Sequence, residues 1–223
     1  MKRIVPVPEA ARSLQAVFTA DPIEPVADLA VPPASLLRRF GASEDDVAAL
    51  ARRPHAHAFV VDAPLDTGPD TVAEQLAGTR RAALAFAGEH DGVVVDMLVP
   101  RIVGPTQTDP TVASHWIALD LDEGHLHSRG LEVFGLPELR AEAGDGARTG
   151  MVLAVAMGLA QRLITEWPDH DPVGPAAVTL HDIALGFGDP EPAPREPALD
   201  IMIDYDGERL VVTVLDDLEA LFS

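Results

Sequence analysis

The chain has no cysteine among its 223 residues. Disulfide bridges, zinc–thiolate sites, iron–sulfur clusters and a cysteine nucleophile are therefore excluded. The absence suits a reducing compartment, and the expectation is a cytoplasmic protein. Positive charge is scarce too: 16 Lys and Arg stand against 36 Asp and Glu, a formal net charge of −20. A field of that sign repels nucleic-acid phosphates and anionic lipid headgroups. The pairs Arg38-Arg39, Arg52-Arg53 and Arg80-Arg81 are scattered and build no basic patch in the sequence. The expectation is no nucleic acid and no membrane; a protein partner would present a basic surface. Solubility alone is a sufficient reason for much of the acidity.

Long hydrophobic runs are missing as well. The strongest, Met151 to Ala160, is too short to span a bilayer. No apolar stretch follows Lys2-Arg3, so no signal peptide is expected. Serine is sparse, and none of Ser13, Ser35, Ser43, Ser114, Ser128 and Ser223 sits in a G-x-S-x-G elbow. Ser114 and His115 are adjacent, and neighbours on a strand point to opposite faces. Gly144 to Gly150 precedes a helical pattern but lacks the Gly-Lys-Ser/Thr ending of a phosphate loop, and Asp145 would repel phosphate. It reads as a loop with Thr149 as helix cap.

What is present is a 47% hydrophobic chain, enough to bury a core. The pattern predicts a single α+β domain over residues 1–223, with helices packed on a mainly antiparallel sheet. Residues 1–54 form a proline-rich N-terminal region with a strand from Arg12 to Ala20. Short helices follow at Ser35–Phe40 and Ser43–Arg53, the second capped by Ser43. Residues 55–121 read as a first β-α-β-β unit: strand His55–Asp62, helix Asp70–Gly88, strand Gly92–Leu98 and strand His115–Leu121. Residues 122–223 read as a second such unit, which suggests a pseudo-duplicated plan. It would hold a strand at Glu138–Ala143 and a helix from Thr149 to Trp167, nearly all apolar in its first half. A long loop over 168–198 follows, irregular around Asp189–Pro197. An Asp206-Gly207 turn then joins strands Asp200–Asp204 and Arg209–Leu215, and Asp216–Phe222 forms a last helix.

The most distinctive stretch runs from His125 to Leu139. Gly130 and Gly135 flank Leu131 and Phe134, three residues apart and so on one face of a single helical turn. Pro137 ends that turn. Arg129 and Glu138 stand at its two ends. A strand, one turn of helix and a strand are expected, a packing corner in which at least one glycine holds a conformation closed to other residues. The run Gly130-Leu131-x-x-Phe134-Gly135-Leu136-Pro137-Glu138-Leu139 resembles a signature of bacterial domains of unknown function. Gly92-Val93-Val94-Val95-Asp96 is similar to the strand that accompanies it there, with Asp91 in place of a first glycine. The resemblance covers roughly residues 56–165 and implies no activity; the N-terminal forty residues and the C-terminal hairpin lie outside it.

Histidine supplies the remaining chemistry. His55-x-His57 and His125-x-His127 have the spacing that puts both imidazoles on one side of a strand, as a metal site requires. Asp62, Asp96, Asp120 and Asp122 could add oxygen ligands. The candidate metal set is His125, His127, His115 and Asp120, with zinc the expected ion. No H-E-x-x-H or related motif supports it. The leading expectation is a non-enzymatic binding or accessory protein acting by protein–protein contact. The alternative is a metal-dependent hydrolase built on the His/Asp cluster.

Overall fold

The computed structural model describes residues 3–189, 191 and 193–222. It is an α+β fold of two sheets. Strands β1 (Ala10–Thr19), β2 (His55–Pro64), β3 (Val93–Asp96) and β4 (Arg101–Ile102) form a four-stranded antiparallel sheet in the order β2-β1-β3-β4. Thus β1, from the proline-rich N-terminal region, lies inside that sheet. Its alternating side chains serve two layers. Ala16 and Phe18 meet Leu37 of helix α1 (Ala34–Arg39) and Leu50 of α2 (Glu44–Ala51), whereas Val17 meets Ala83 and Ala87 of α3 (Pro69–Glu89). Helix α2 starts at the expected cap: the Asp46 N–H donates to the Ser43 hydroxyl at 3.1 Å, and the Asp46 carboxylate accepts the Ser43 N–H at 2.9 Å.

Strands β5 (Ala118–Asp122), β6 (His125–Arg129), β7 (Leu139–Glu142), β8 (Gly174–Thr179), β9 (Ala198–Tyr205) and β10 (Leu210–Val214) form the second sheet, in the order β5-β6-β7-β10-β9-β8. Only the β7–β10 pair is parallel among the described pairings. Helix α4 (Ala147–Glu166) buries Val152, Val155, Leu159 and Leu163 in one core with Leu126, Leu139, Ile201, Ile203 and Leu210 from this sheet. Leu65, Val72 and Leu76 from the first half join the same core. Helix α5 (Leu180–Phe187) and α6 (Leu218–Phe222) complete the order, with Ile183, Leu218 and Leu221 packed there too. Among the described residues, no helix is long and apolar enough to cross a membrane.

The two halves do not repeat one element order: the strand pair β3 and β4 follows α3, whereas three strands precede α4 and α5 interrupts the three that follow it; their pairing differs too. In the first sheet β1 pairs antiparallel with β3 across α3; in the second, β7 pairs parallel with β10 across α4.

Three expectations are corrected. Helix α4 begins at Ala147 with Gly146 at its cap position, so Thr149 lies inside the helix and does not cap it. The strand expected from His115 begins only at Ala118, and Ala113–His115 is a 3-10 turn. The backbone there serves other donors: the Ser114 carbonyl accepts from Arg101 at 2.9 Å and the His115 carbonyl accepts from Arg80. The loop expected over 168–198 contains β8 and α5. Pro175 is tolerated because β8 is an edge strand. Helix α5 is launched by a capping box, in which the Asp182 N–H donates to the Thr179 hydroxyl at 3.2 Å and Asp182 accepts the Thr179 N–H at 2.9 Å. The irregular segment Asp189–Pro197 is neither helix nor strand where described; Pro190 and Pro192 lie outside the described residues.

Candidate functional site

The motif folds as strand β6, a 3-10 turn over Leu131–Phe134, and strand β7. Gly130 and Gly135 both hold positive φ, 114° and 78°. A Cβ on Gly130 would strike the Trp116 carbonyl oxygen, and one on Gly135 would lie 2.8 Å from Leu65. Phe134 is buried edge-on against Trp116, ring centroids 5.9 Å apart. Pro137 is half-buried and leads into β7. Glu138 latches the corner. One carboxylate oxygen accepts the Gly130 N–H at 2.7 Å and the Glu132 N–H at 3.3 Å; the other accepts the Ser128 hydroxyl. The Ser128 oxygen in turn accepts the Leu139 N–H at 2.7 Å. Burial pushes the Glu138 carboxyl up, opposed by these hydrogen bonds.

The corner aims β6 and β7 at a shared face. Cross-strand register sets Asp120 opposite His127 and Asp122 opposite His125, with Arg140 and Glu142 of β7 beyond them. Val211 of β10 lies beside Arg140, and Asp204 of β9 beside Val211. Residues between these, such as Leu126, Leu139 and Leu210, point into the α4 core; the residues of this face are half-buried or exposed. His125 and His127 do stand side by side, ring centroids 6.3 Å apart. Arg140 donates to His125 Nε2 at 3.0 Å, and Arg209 donates to His127 Nδ1 at 3.2 Å. A guanidinium only donates, so toward the arginines each of those nitrogens can serve only as an acceptor. Burial, followed by Arg209, Arg140 and His125, holds the His127 pKa below its ordinary value.

Two neighbouring clefts open on this face, one of about 320 Å³ past His127, Arg129 and Arg209, the other of about 380 Å³ past His125, Arg140 and Arg148. Asp120 is tied down at the rim, 2.7 Å from Arg39 and 3.9 Å from Arg129. Arg129 also lies over the Phe40 ring at 5.8 Å. Among the described residues, neither Arg140 nor Arg148 has a carboxylate within ion-pair distance.

Of the candidate metal set, His125, His127 and Asp120 share the face, whereas His115 sits in the 3-10 turn beside Arg80. No three His, Asp or Glu side chains gather to hold a metal ion among the described residues. The donor set fits zinc poorly, because the accepting nitrogens of both imidazoles already face guanidinium groups. His55 and His57 lie apart from this face, on β2; His57 is buried against Thr19 at 2.9 Å.

Sequence reasoning missed Arg140, Arg148 and Arg209. Arg140 had one signal, its place two residues after Glu138 on an alternating strand. A second arginine cluster was also missed. Arg80 is fully buried and stacked on Trp116 at 3.4 Å, and it donates to Asp96 at 2.6 Å and to the Gln107 carbonyl at 3.0 Å. Burial lowers its pKa to about 10. Its signal was an arginine at the i+4 slot of the Val72, Leu76, Ala83 face.

Comparison with models of known protein families, with curated proteins and with solved structures finds no match to this chain.

Proposed function

We propose that this is a non-enzymatic binding or accessory protein of the cytoplasm, acting by protein–protein contact through the polar face of the six-stranded sheet. The supporting observation is the row formed by His125, His127, Arg140 and Arg209, half-buried together on one sheet face of a chain whose net charge is −20. In such a chain an arginine has many carboxylates to pair with, and Arg140 pairs with none among the described residues. Two open clefts along one sheet face suit a broad contact better than a single enclosed substrate pocket. The acidic remainder of the surface suits a partner with basic patches of its own. We also propose kinship with the bacterial domains whose signature Gly130–Leu139 resembles, with the corner as a scaffold that sets this face. The metal-dependent hydrolase reading has less support, since its two best imidazoles are engaged by arginines.

The test is site-directed photo-crosslinking in the source cell. A photo-reactive residue at Thr213, exposed on this face, should capture a discrete partner; one at Ala85, exposed on α3, should not. The same adducts from both positions, or none from Thr213, would overturn the reading.

A further inference from the structure

Six buried side-chain atoms have no hydrogen-bond partner among the described residues, and four of them lie in one cluster: Arg80 Nε, Arg101 Nε and Nη2, and His115 Nδ1. Native folds leave few buried polar groups unmet. Cross-strand register sets Arg101 of β4 opposite Asp96 of β3. Asp96 is already committed: its Oδ2 accepts from Arg80 at 2.6 Å, and its Oδ1 accepts the Leu98 and Val99 N–H groups. Arg80 is otherwise provided for, by the Gln107 and His115 carbonyls and by the Trp116 ring against which it stacks. Arg101 is not. Its Nη1 donates to the Ser114 carbonyl at 2.9 Å, and no carboxylate lies within ion-pair distance of it among the described residues. Asp96 supports both guanidiniums, yet one carboxylate against two leaves one positive charge in excess, and Arg101 is only 8% exposed. A guanidinium does not shed its proton to escape burial. Such a charge is costly unless an anion meets it, and water would satisfy the donors without supplying charge.

The geometry says which anion. Nε–H and Nη2–H are the parallel donors along one edge of the guanidinium plane, the edge that takes both oxygens of a carboxylate. Burial of that edge limits the anion to a small one without a tail. The acidic surface opposes it weakly, because exposed charges beyond about 8 Å are screened at physiological salt. We propose that Arg101 binds a small oxyanion of the carboxylate class, of formate size, through its Nε–H and Nη2–H edge. This site belongs to the four-stranded sheet, and it neither rests on the contact surface of the other sheet nor falls with it.

Thermal melting of the full chain tests this, with sodium formate and sodium chloride titrated in parallel so that ionic strength is matched. Formate should raise the midpoint by about 2–4 °C more than chloride and then level off, the shift that a several-fold excess over Kd gives a chain of this size. Sodium butyrate, the same head group with a tail, should do no more than chloride. Arg101→Gln removes both the excess charge and the paired donors, and should lose the formate-specific rise. Should that variant fail to fold, Arg101→Lys keeps the charge without the paired donors and should lose the rise as well. No rise with formate would leave water as the partner of Arg101. An equal rise with chloride would show that two-oxygen recognition is absent, and an equal rise with butyrate would remove the size limit. A rise retained in a folded variant would assign it to general salt effects. Each of these four outcomes overturns the proposal.

Discussion

At the residue scale, the stability of the chain depends on a few polar groups buried with specific partners. The Arg80–Asp96 pair is fully buried at both ends. Asp96 also accepts the Leu98 and Val99 N–H groups at 3.1 and 3.2 Å, which turns the chain out of β3 after four residues. Arg101 lies close by, buried, its pKa lowered by burial and supported by Asp96. One carboxylate thus balances two guanidiniums. Asp96→Ala should cost about 3–5 kcal/mol, because it strands buried charge without a partner. Urea unfolding of wild type and variant measures it, and a loss below about 1 kcal/mol would show that water already reaches the site. Glu138 makes a second case. Glu138→Ala frees three donors, and each left unsatisfied costs roughly 1–3 kcal/mol. Gly130→Val should cost at least about 1–3 kcal/mol from its positive φ alone, with the collision at Trp116 adding to it.

At the element scale, α4 is the central helix. Its close neighbour is α5, and the approach depends on two glycines: a Cβ on Gly158 would lie 2.8 Å from Ile183 and 2.9 Å from Val178, and one on Gly186 would lie 2.8 Å from the Met157 carbonyl oxygen. Gly158→Val should destabilise by roughly 1–3 kcal/mol through overpacking, read as a lower thermal midpoint. Met157→Asp, beside it and buried, should prevent cooperative folding, since no partner awaits the charge. Much of this layer was legible. The apolar girth of Met151–Ala160, the Ser43 cap and the two glycines around Phe134 all act locally, and local physics is what a sequence displays. The segment holding β8 and α5 was hidden because Pro172, Gly174 and Pro175 imitate a loop, and an edge strand is where such residues are tolerated. The strand expected at His115 failed for a tertiary reason: Arg80 and Arg101 reach its carbonyls from elsewhere in the chain. The candidate site divides the same way. His125 and His127 were visible from their i,i+2 spacing. Arg140 and Arg209 join them only through the β6–β7–β10 pairing, which spans more than eighty residues between His127 and Arg209.

At the scale of the whole molecule, charge and histidine together set the response to acid. Burial is the main cause that lowers the pKa of both His115 and His127 below the ordinary 6.5; for His127 the nearby Arg209 and Arg140 add to it. The unfolded chain therefore binds protons that the native chain refuses. The stability these two residues contribute is complete above pH 6.5 and is lost as the pH falls from there through their lower folded values. Most carboxylates are still ionised in the upper part of that window, so the net charge changes little while the histidines act. Glu138 works in the opposite sense. Its folded pKa is raised above 4.5, so protonation favours the native state as the pH falls toward that value. The expected profile is a decline in thermal midpoint on going from pH 7 to about pH 5.5. A His115→Gln/His127→Gln variant should flatten that decline, and Glu138→Gln should leave it in place. An unaltered slope in the histidine variant would assign the acid sensitivity to the other six histidines or to the carboxylates, and would overturn the view that burial, aided by Arg209 and Arg140, holds the His127 pKa down.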